Sequence, residues 1–184
     1  MQIRILKLDT ATTDLVSIQK RVADLGPMHK AIGVQIVSMT KEAFNEAALR
    51  PSTWPAKYGG AAATLKKTGT LFRSVRVINA DGKGVTVGAD RKYAAIHQLG
   101  GQTKPHKITA KNGKALAFGG SYRGMGGAVT GGIGTIVVRS VNHPGSKIPA
   151  RPFLPFMPDG SPTVEADKRI RQTITAYIAA RPGK

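Results

Sequence analysis

Not one Asp or Glu lies between Asp90 and Asp159, while the same interval holds ten basic residues from Arg91 to Arg151. Inside it, residues 102–147 are rich in Gly and Lys, and the run 119–134 packs many glycines around Ser121, Tyr122 and Arg123. A stretch with few large apolar side chains and one sign of charge cannot bury a core of its own. The flanks therefore have to build the fold. The expectation is one domain, residues 1–184, with 102–147 inserted in it as an extended basic arm. The glycines of the arm favour flexibility, or ordering when a partner is met.

The flanks carry clear periodicities. Residues 2–8 read as a short strand, and Thr12-Thr13-Asp14 as the cap of a helix with Leu15, Ile18, Val22 and Leu25 on one face, ended by Gly26-Pro27. A longer helix is predicted from Met28 to Leu49, with Met28, Ile32, Ile36, Met39, Ala43 and Ala47 recurring at spacings of three and four. Two prolines make Arg50 to Gly60 an ordered loop with Trp54 as its anchor. Thr68 to Ser74 reads as a helical turn, followed by strands at Val75–Ile78 and Val85–Gly88 joined through Asp81-Gly82. A short helix is expected at Tyr93–Leu99, ending at Gly100-Gly101. In the arm, Ile108 to Phe118 suggests a hairpin about Asn112-Gly113, and Thr135–Arg139 a further strand. Ser161-Pro162 is expected to open a closing helix striped by Val164, Ile170, Ile174, Tyr177 and Ile178. The fold class is α+β: a small central antiparallel or mixed β-sheet flanked by helices at both chain ends, with a protruding Gly/Lys-rich hairpin arm.

Composition removes whole classes of function. The absence of cysteine excludes disulfide scaffolds, thiolate zinc sites, iron–sulfur clusters and cysteine nucleophiles. No apolar run approaches the roughly 20 residues of a membrane-spanning helix, so no membrane association is expected. Charges interleave with apolar residues from Met1 to Asp9, which is no secretion signal. The ten carboxylates are spread along the two ends, and His29, His97, His106 and His143 fall at no metal-ligand spacing. Gly119-Gly-Ser121-Tyr-Arg123 misses the nucleophile-elbow pattern because Arg123 replaces its second glycine. The glycine runs near 124–134 lack the Gly-Lys-Ser/Thr of a phosphate loop. No enzyme activity, cofactor or metal is expected.

A formal net charge of +18 points instead to polyanions or acidic partners. A solvated basic surface, or one facing an acidic protein, weighs equally on charge alone. Only Phe118 and Tyr122 interleave the basic residues of 102–147, so any DNA contact there is with phosphates rather than bases. Lys104, Lys107, Lys111, Lys114, Arg123, Arg139 and Lys147 are the candidates to face a DNA channel or a partner.

Four blocks in order carry a resemblance. Trp54 precedes Leu65-Lys-Lys-Thr68-Gly69-Thr70-Leu71-Phe72-Arg73-Ser74, an L-x-x-T-G-x-L-x-x-S element. Val85-Thr-Val87-Gly88 leads to Tyr93-Ala-Ala-Ile96-His97-Gln98-Leu99-Gly100-Gly101. Lys104-Pro105-His106-Lys107-Ile108 and Lys114–Phe118 come before Val141-Asn-His143-Pro144-Gly145. Ile148-Pro149-Ala150-Arg151-Pro152-Phe153-Leu154 precedes the closing helix. In this order they resemble the phage virion morphogenesis or tail-completion proteins, which shade into head–tail neck and minor tail proteins.

The resemblance implies a structural subunit of a tailed-phage virion, made in the host cytoplasm and residing at the neck or tail top. It implies a cyclic ring of copies, a hexamer, joining head and tail around the DNA channel, with portal or adaptor and tail proteins as further partners. A tail terminator, a head-completion adaptor and a non-specific DNA-binding protein acting in packaging are the alternatives. His97 reads as a hydrogen-bonded packing residue, and Arg151 as pairing with a carboxylate or capping carbonyls. Phe153 and Leu154, stiffened by Pro149 and Pro152, read as anchors that dock the segment on the body.

Overall fold

The computed structural model describes residues 8–57, 59–111, 115–118 and 136–180. The expected strand at 2–8, apart from Leu8, which opens a helix instead, the Asn112-Gly113 turn, Lys114, the run 119–134 with Arg123, and Thr135 lie outside these residues. The chain is α+β and divides into two compact units, one of residues 1–100 with 149–184 and the other of residues 101–148.

The first unit is organised by one helix. After α1 (Leu8–Ala23), α2 (Gly26–Ala43) buries Ile32, Ile36, Met39 and Ala43, the stripe its periodicity predicts. The helix stops at Ala43 rather than Leu49: Arg50 donates from Nε to the Ala43 carbonyl at 2.7 Å and from Nη2 to the Phe44 carbonyl at 3.3 Å. These bonds satisfy end carbonyls that the helix itself cannot. A 3-10 turn, Ala47–Leu49, follows, and Ala47 is exposed. The expected cap at Thr12–Asp14 is corrected too, because α1 already runs from Leu8 and carries these residues within it. A cap signal loses to neighbouring residues that favour helix on both sides.

After α3 (Thr70–Ser74), β1 (Val75–Asp81) and β2 (Gly84–Ala89) form an antiparallel hairpin laid on α2. Its turn is fixed by Asp81, whose Oδ1 accepts from the Lys83 and Gly84 amides at 2.8 and 3.1 Å. A bulge between Val77 and Asn79 leaves Ile78 unpaired. Gly33 lets helix and hairpin close: a Cβ there would meet Val85 Cγ2 at 2.7 Å and Val77 Cγ2 at 2.9 Å. After α4 (Ala94–Leu99), the chain returns to this unit at Pro149 and ends in α5 (Val164–Ala179), packed on α2. The cap of α5 is Thr163, not Ser161, which instead donates to Asp159 from both its amide and its hydroxyl. Val164, assigned to the apolar stripe, is 90% exposed; it sits in the first turn, ahead of the buried Ala166.

Two clusters make the core. Ile32, Ile36, Met39 and Ala166 join α2 to α5, while Phe44, Trp54, Leu71, Val75, Ala94 and Phe153 gather α3, β1 and α4. Phe44 is the hub of the second, meeting Trp54 and Phe72 edge-on at 6.0 and 5.6 Å and Phe153 at 5.5 Å.

The second unit is a two-stranded antiparallel ribbon. Its outgoing leg holds β3 (Gly101–Gln102), β4 (His106–Thr109) and β5 (Leu116–Phe118), and its return leg β6 (Ile136–Val138), β7 (Ser140–His143) and β8 (Lys147–Ile148). The expected hairpin of Ile108 with Phe118 is therefore corrected: Ile108 pairs with Val141 and Leu116 with Val138. Both segments of the expected hairpin belong to one leg, and their partners lie far along the chain. Gly145, at φ +90°, sits where a Cβ would fall 2.1 Å from the Thr103 carbonyl oxygen. Thr103 and Ser146 bond across the same point, each amide donating to the other residue at 3.0 and 2.7 Å.

Candidate functional site

In the first unit, three of the four blocks singled out in the sequence converge, those around Trp54 to Ser74, Tyr93 to Gly100 and Arg151 to Leu154. The loop before α3 contributes the start of the site. Gly69 stands at φ +68°, a left-handed conformation, and its carbonyl accepts from the Arg73 amide at 3.0 Å, which starts α3. Leu71 and Ser74 are then buried, with the Ser74 hydroxyl donating to the Leu71 carbonyl at 2.7 Å. Leu65 is the one non-glycine residue with positive φ among the described residues, at +51°. That conformation costs an L-residue about 1–2 kcal/mol.

The helix α4 is tied to the segment Arg151–Leu154. The Arg151 amide donates to the His97 carbonyl at 2.7 Å, and Gln98 Oε1 accepts from the Phe153 and Leu154 amides at 2.9 and 3.1 Å. Trp54 is pinned to the same segment: its Nε1–H donates to the Pro152 carbonyl at 2.7 Å, and the Arg50 guanidinium lies 3.8 Å over its ring. Arg151 caps carbonyls, as one of its two sequence readings has it, donating to Pro55 and Ala56 at 2.9 Å each. Phe153 is buried, and Gly100, at φ +72°, turns the chain out of α4. Pro149 is exposed and Pro152 half-buried beside Phe153.

Between these elements opens a cleft of about 670 Å³. Its lining is mixed: Ala63 and Leu65, both half-buried, and the buried Leu71 are its aliphatic part, and the exposed Thr64 and Thr68 stand with Tyr93, His97 and Arg151 around it. Lys57 and Lys67 stand exposed at its edge, with no side-chain partner among the described residues. No carboxylate lines it among those residues. His97 differs from its sequence reading in one respect: its ring meets Tyr93 edge-on at 5.9 Å, but its buried Nδ1 has no hydrogen-bond partner among the described residues. Burial, followed by the charge of Arg151, holds the His97 pKa below its ordinary value. Lys57 had no distinguishing signal in the sequence, and Lys67 and Gln98 fell inside motif blocks without a role of their own, since nothing in local spacing brings residues 57–71, 93–98 and 151 together.

The basic candidates occupy the second unit. Lys104, Lys107, Lys111, Arg139 and Lys147 are exposed, and that unit holds no carboxylate to pair with them. The ladder sorts its faces: Lys107 and Thr109 lie with Asn142 and Ser140, whereas His106 and Ile108 lie with His143 and Val141. On the second face the His106 and His143 rings stack at 5.1 Å. His143 Nδ1 accepts the Gly145 amide at 3.0 Å, which fixes its acceptor nitrogen, and Pro144 is exposed at the turn between them. Lys114 and Arg123 lie outside the described residues. No three of His, Asp and Glu gather around a metal-sized space among the described residues.

The model of the phage virion morphogenesis family matches residues 6–178. The chain belongs to that family. Its members are structural and assembly proteins, so the chain has a structural or assembly role in the phage virion. No curated protein and no solved structure matches it. In this virion protein the L-x-x-T-G-x-L-x-x-S element has a physical account: glycine for the left-handed start of α3, leucines for the cleft and core, and serine for a buried bond to the helix carbonyl.

Proposed function

We propose that this protein is a ring-forming subunit of the phage neck or tail-completion layer, joining head and tail around the DNA channel. The observation that carries the reading is an uncompensated basic ribbon, 101–148, in a member of a virion morphogenesis family. Within a closed ring every copy presents two different faces to its neighbours, and the ring repeats any charged feature around its axis. Five exposed cations per copy, Lys104, Lys107, Lys111, Arg139 and Lys147, then supply a collar of positive potential. Such a collar attracts phosphates without reading bases, so a genome is held yet passes. Copies of itself in a hexamer, a portal or adaptor protein, and tail proteins are the partners in this reading.

The test is duplex DNA binding across a salt series by the full chain and by the triple variant K104E/K107E/K111E. The logarithmic salt slope is expected to fall by about one per phosphate-contacting lysine lost. An unchanged slope and affinity removes DNA from the reading and leaves a subunit that contacts only proteins. An isolated chain that binds duplex tightly but never assembles with itself or virion proteins favours the packaging-factor alternative.

A further inference from the structure

The cleft of the first unit is a second basic feature, and its chemistry differs from that of the ribbon. It sets the aliphatic Ala63, Leu65 and Leu71 beside the unpaired cations Lys57 and Lys67, whereas the exposed cations of the ribbon lie along a ladder with polar and histidine neighbours. Its volume of about 670 Å³ lies within the range of specific ligand sites, ~300–1,000 Å³. Leu65, held at φ +51°, lines it, and backbone strain of this kind persists where the surrounding structure over-determines it, as at ligand clamps. We infer that the cleft is the docking site for an acidic, partly apolar peptide segment of a different protein. The segment's apolar side chains occupy the Ala63, Leu65 and Leu71 side while its carboxylates meet Lys57, Lys67 and the free edge of Arg151.

Charge complementarity decides against a second copy of this chain. Two copies meet with +18 on each, and most of the ten carboxylates are already committed. Arg169 holds Glu42 and Glu165, Arg171 holds Asp167, and Asp90 faces Arg76 and Arg91. Asp24, Asp81 and Asp159 bind amides of their own turns. Among the described side chains only Asp14, in α1, and Glu46, ahead of the 3-10 turn, hold no such bond, so those residues offer no free acidic stretch and the complement is sought in a different protein. The inference names a kind of partner and stands whether or not the chain closes into a ring.

The experiment compares two charge-matched variants of the full chain, K57E/K67E in the cleft and K104E/K107E in the ribbon. The probes are a fluorescent random copolymer of glutamate and tyrosine, and a short DNA duplex. The cleft variant is expected to weaken copolymer binding about tenfold or more, and the ribbon variant less than about twofold, since a tenfold loss is the scale of two lost ion pairs. In the unaltered chain the copolymer should shift the His97 ring resonances, which the duplex should leave in place. Equal losses in both variants mean diffuse attraction and overturn the site. Duplex competition for the cleft makes it a nucleic-acid site, and a loss of self-association in K57E/K67E with copolymer affinity retained makes the occupant a second copy; either result overturns the inference. If charge reversal lowers the unfolding midpoint, the neutral pair K57Q/K67Q carries the same comparison.

Discussion

At the scale of single residues, the first unit depends on a few polar contacts made by otherwise apolar anchors. Trp54 is 6% exposed, and its indole N–H satisfies the Pro152 carbonyl. Trp54→Phe keeps most of the ring volume but strands that carbonyl, and should lower stability by about 1–3 kcal/mol in urea unfolding. His97 gives a pH dependence. Because burial lowers its folded pKa beneath the unfolded value, the folded state binds fewer protons in the interval between them. Its contribution is complete above about 6.5 and is lost as pH falls through the folded pKa. Glu42, lowered chiefly by its bond to Arg169, loses its contribution only in more acid, below the ordinary carboxylate value of 4.5. The unfolding midpoint should therefore decline just below neutrality in the native chain and stay flat across that window in His97→Phe. Gly69 and Ser74 were legible as motif residues, but the left-handed turn and the buried bond that explain them emerge only with backbone and packing in view.

At the scale of elements, α2 carries both the hairpin and α5, which pack against one cluster of its residues, and its stripe marked that face as core in the sequence. Gly33 was not singled out there, since a lone glycine in a helix has no periodic signature. Gly33→Ala would gain helix propensity, worth up to about 1 kcal/mol, yet its Cβ would enter Val77 and Val85 at 2.7–2.9 Å. Overpacking of this kind costs about 1–3 kcal/mol, so a net loss of stability is expected, with the hairpin amides exchanging faster than those of α5. A gain in midpoint would show that the hairpin yields freely. The β1–β2 hairpin was legible because its strands are adjacent and Asp81-Gly82 lies between them. The ribbon was not, because the local appeal of Asn112-Gly113 says nothing of the register of His106–Thr109 against Ser140–His143. Likewise α1, with Leu15 67% and Val22 55% exposed, carries a stripe that foretold a helix without foretelling its burial.

At the scale of the whole molecule, fold class and family were readable, whereas the assembly of the cleft was not. Composition separates a chain with apolar periodicity at its ends from one whose middle cannot form a core, and motif order supplies the family. The cleft draws on residues 57–71, 93–97 and 151, and only their tertiary placement shows cations beside Ala63, Leu65 and Leu71. An uncompensated +18 also means that association with polyanions should weaken steeply with salt, while the apolar core stays intact. Cryo-electron microscopy of intact virions shows where copies of this protein sit, and so decides between a ring at the head–tail junction and any other placement. The expected map has a closed ring of this chain between head and tail, with residues 101–148 of each copy facing the DNA. Purified virions that lack the chain, or that carry it outside any ring at the head–tail junction, would contradict it.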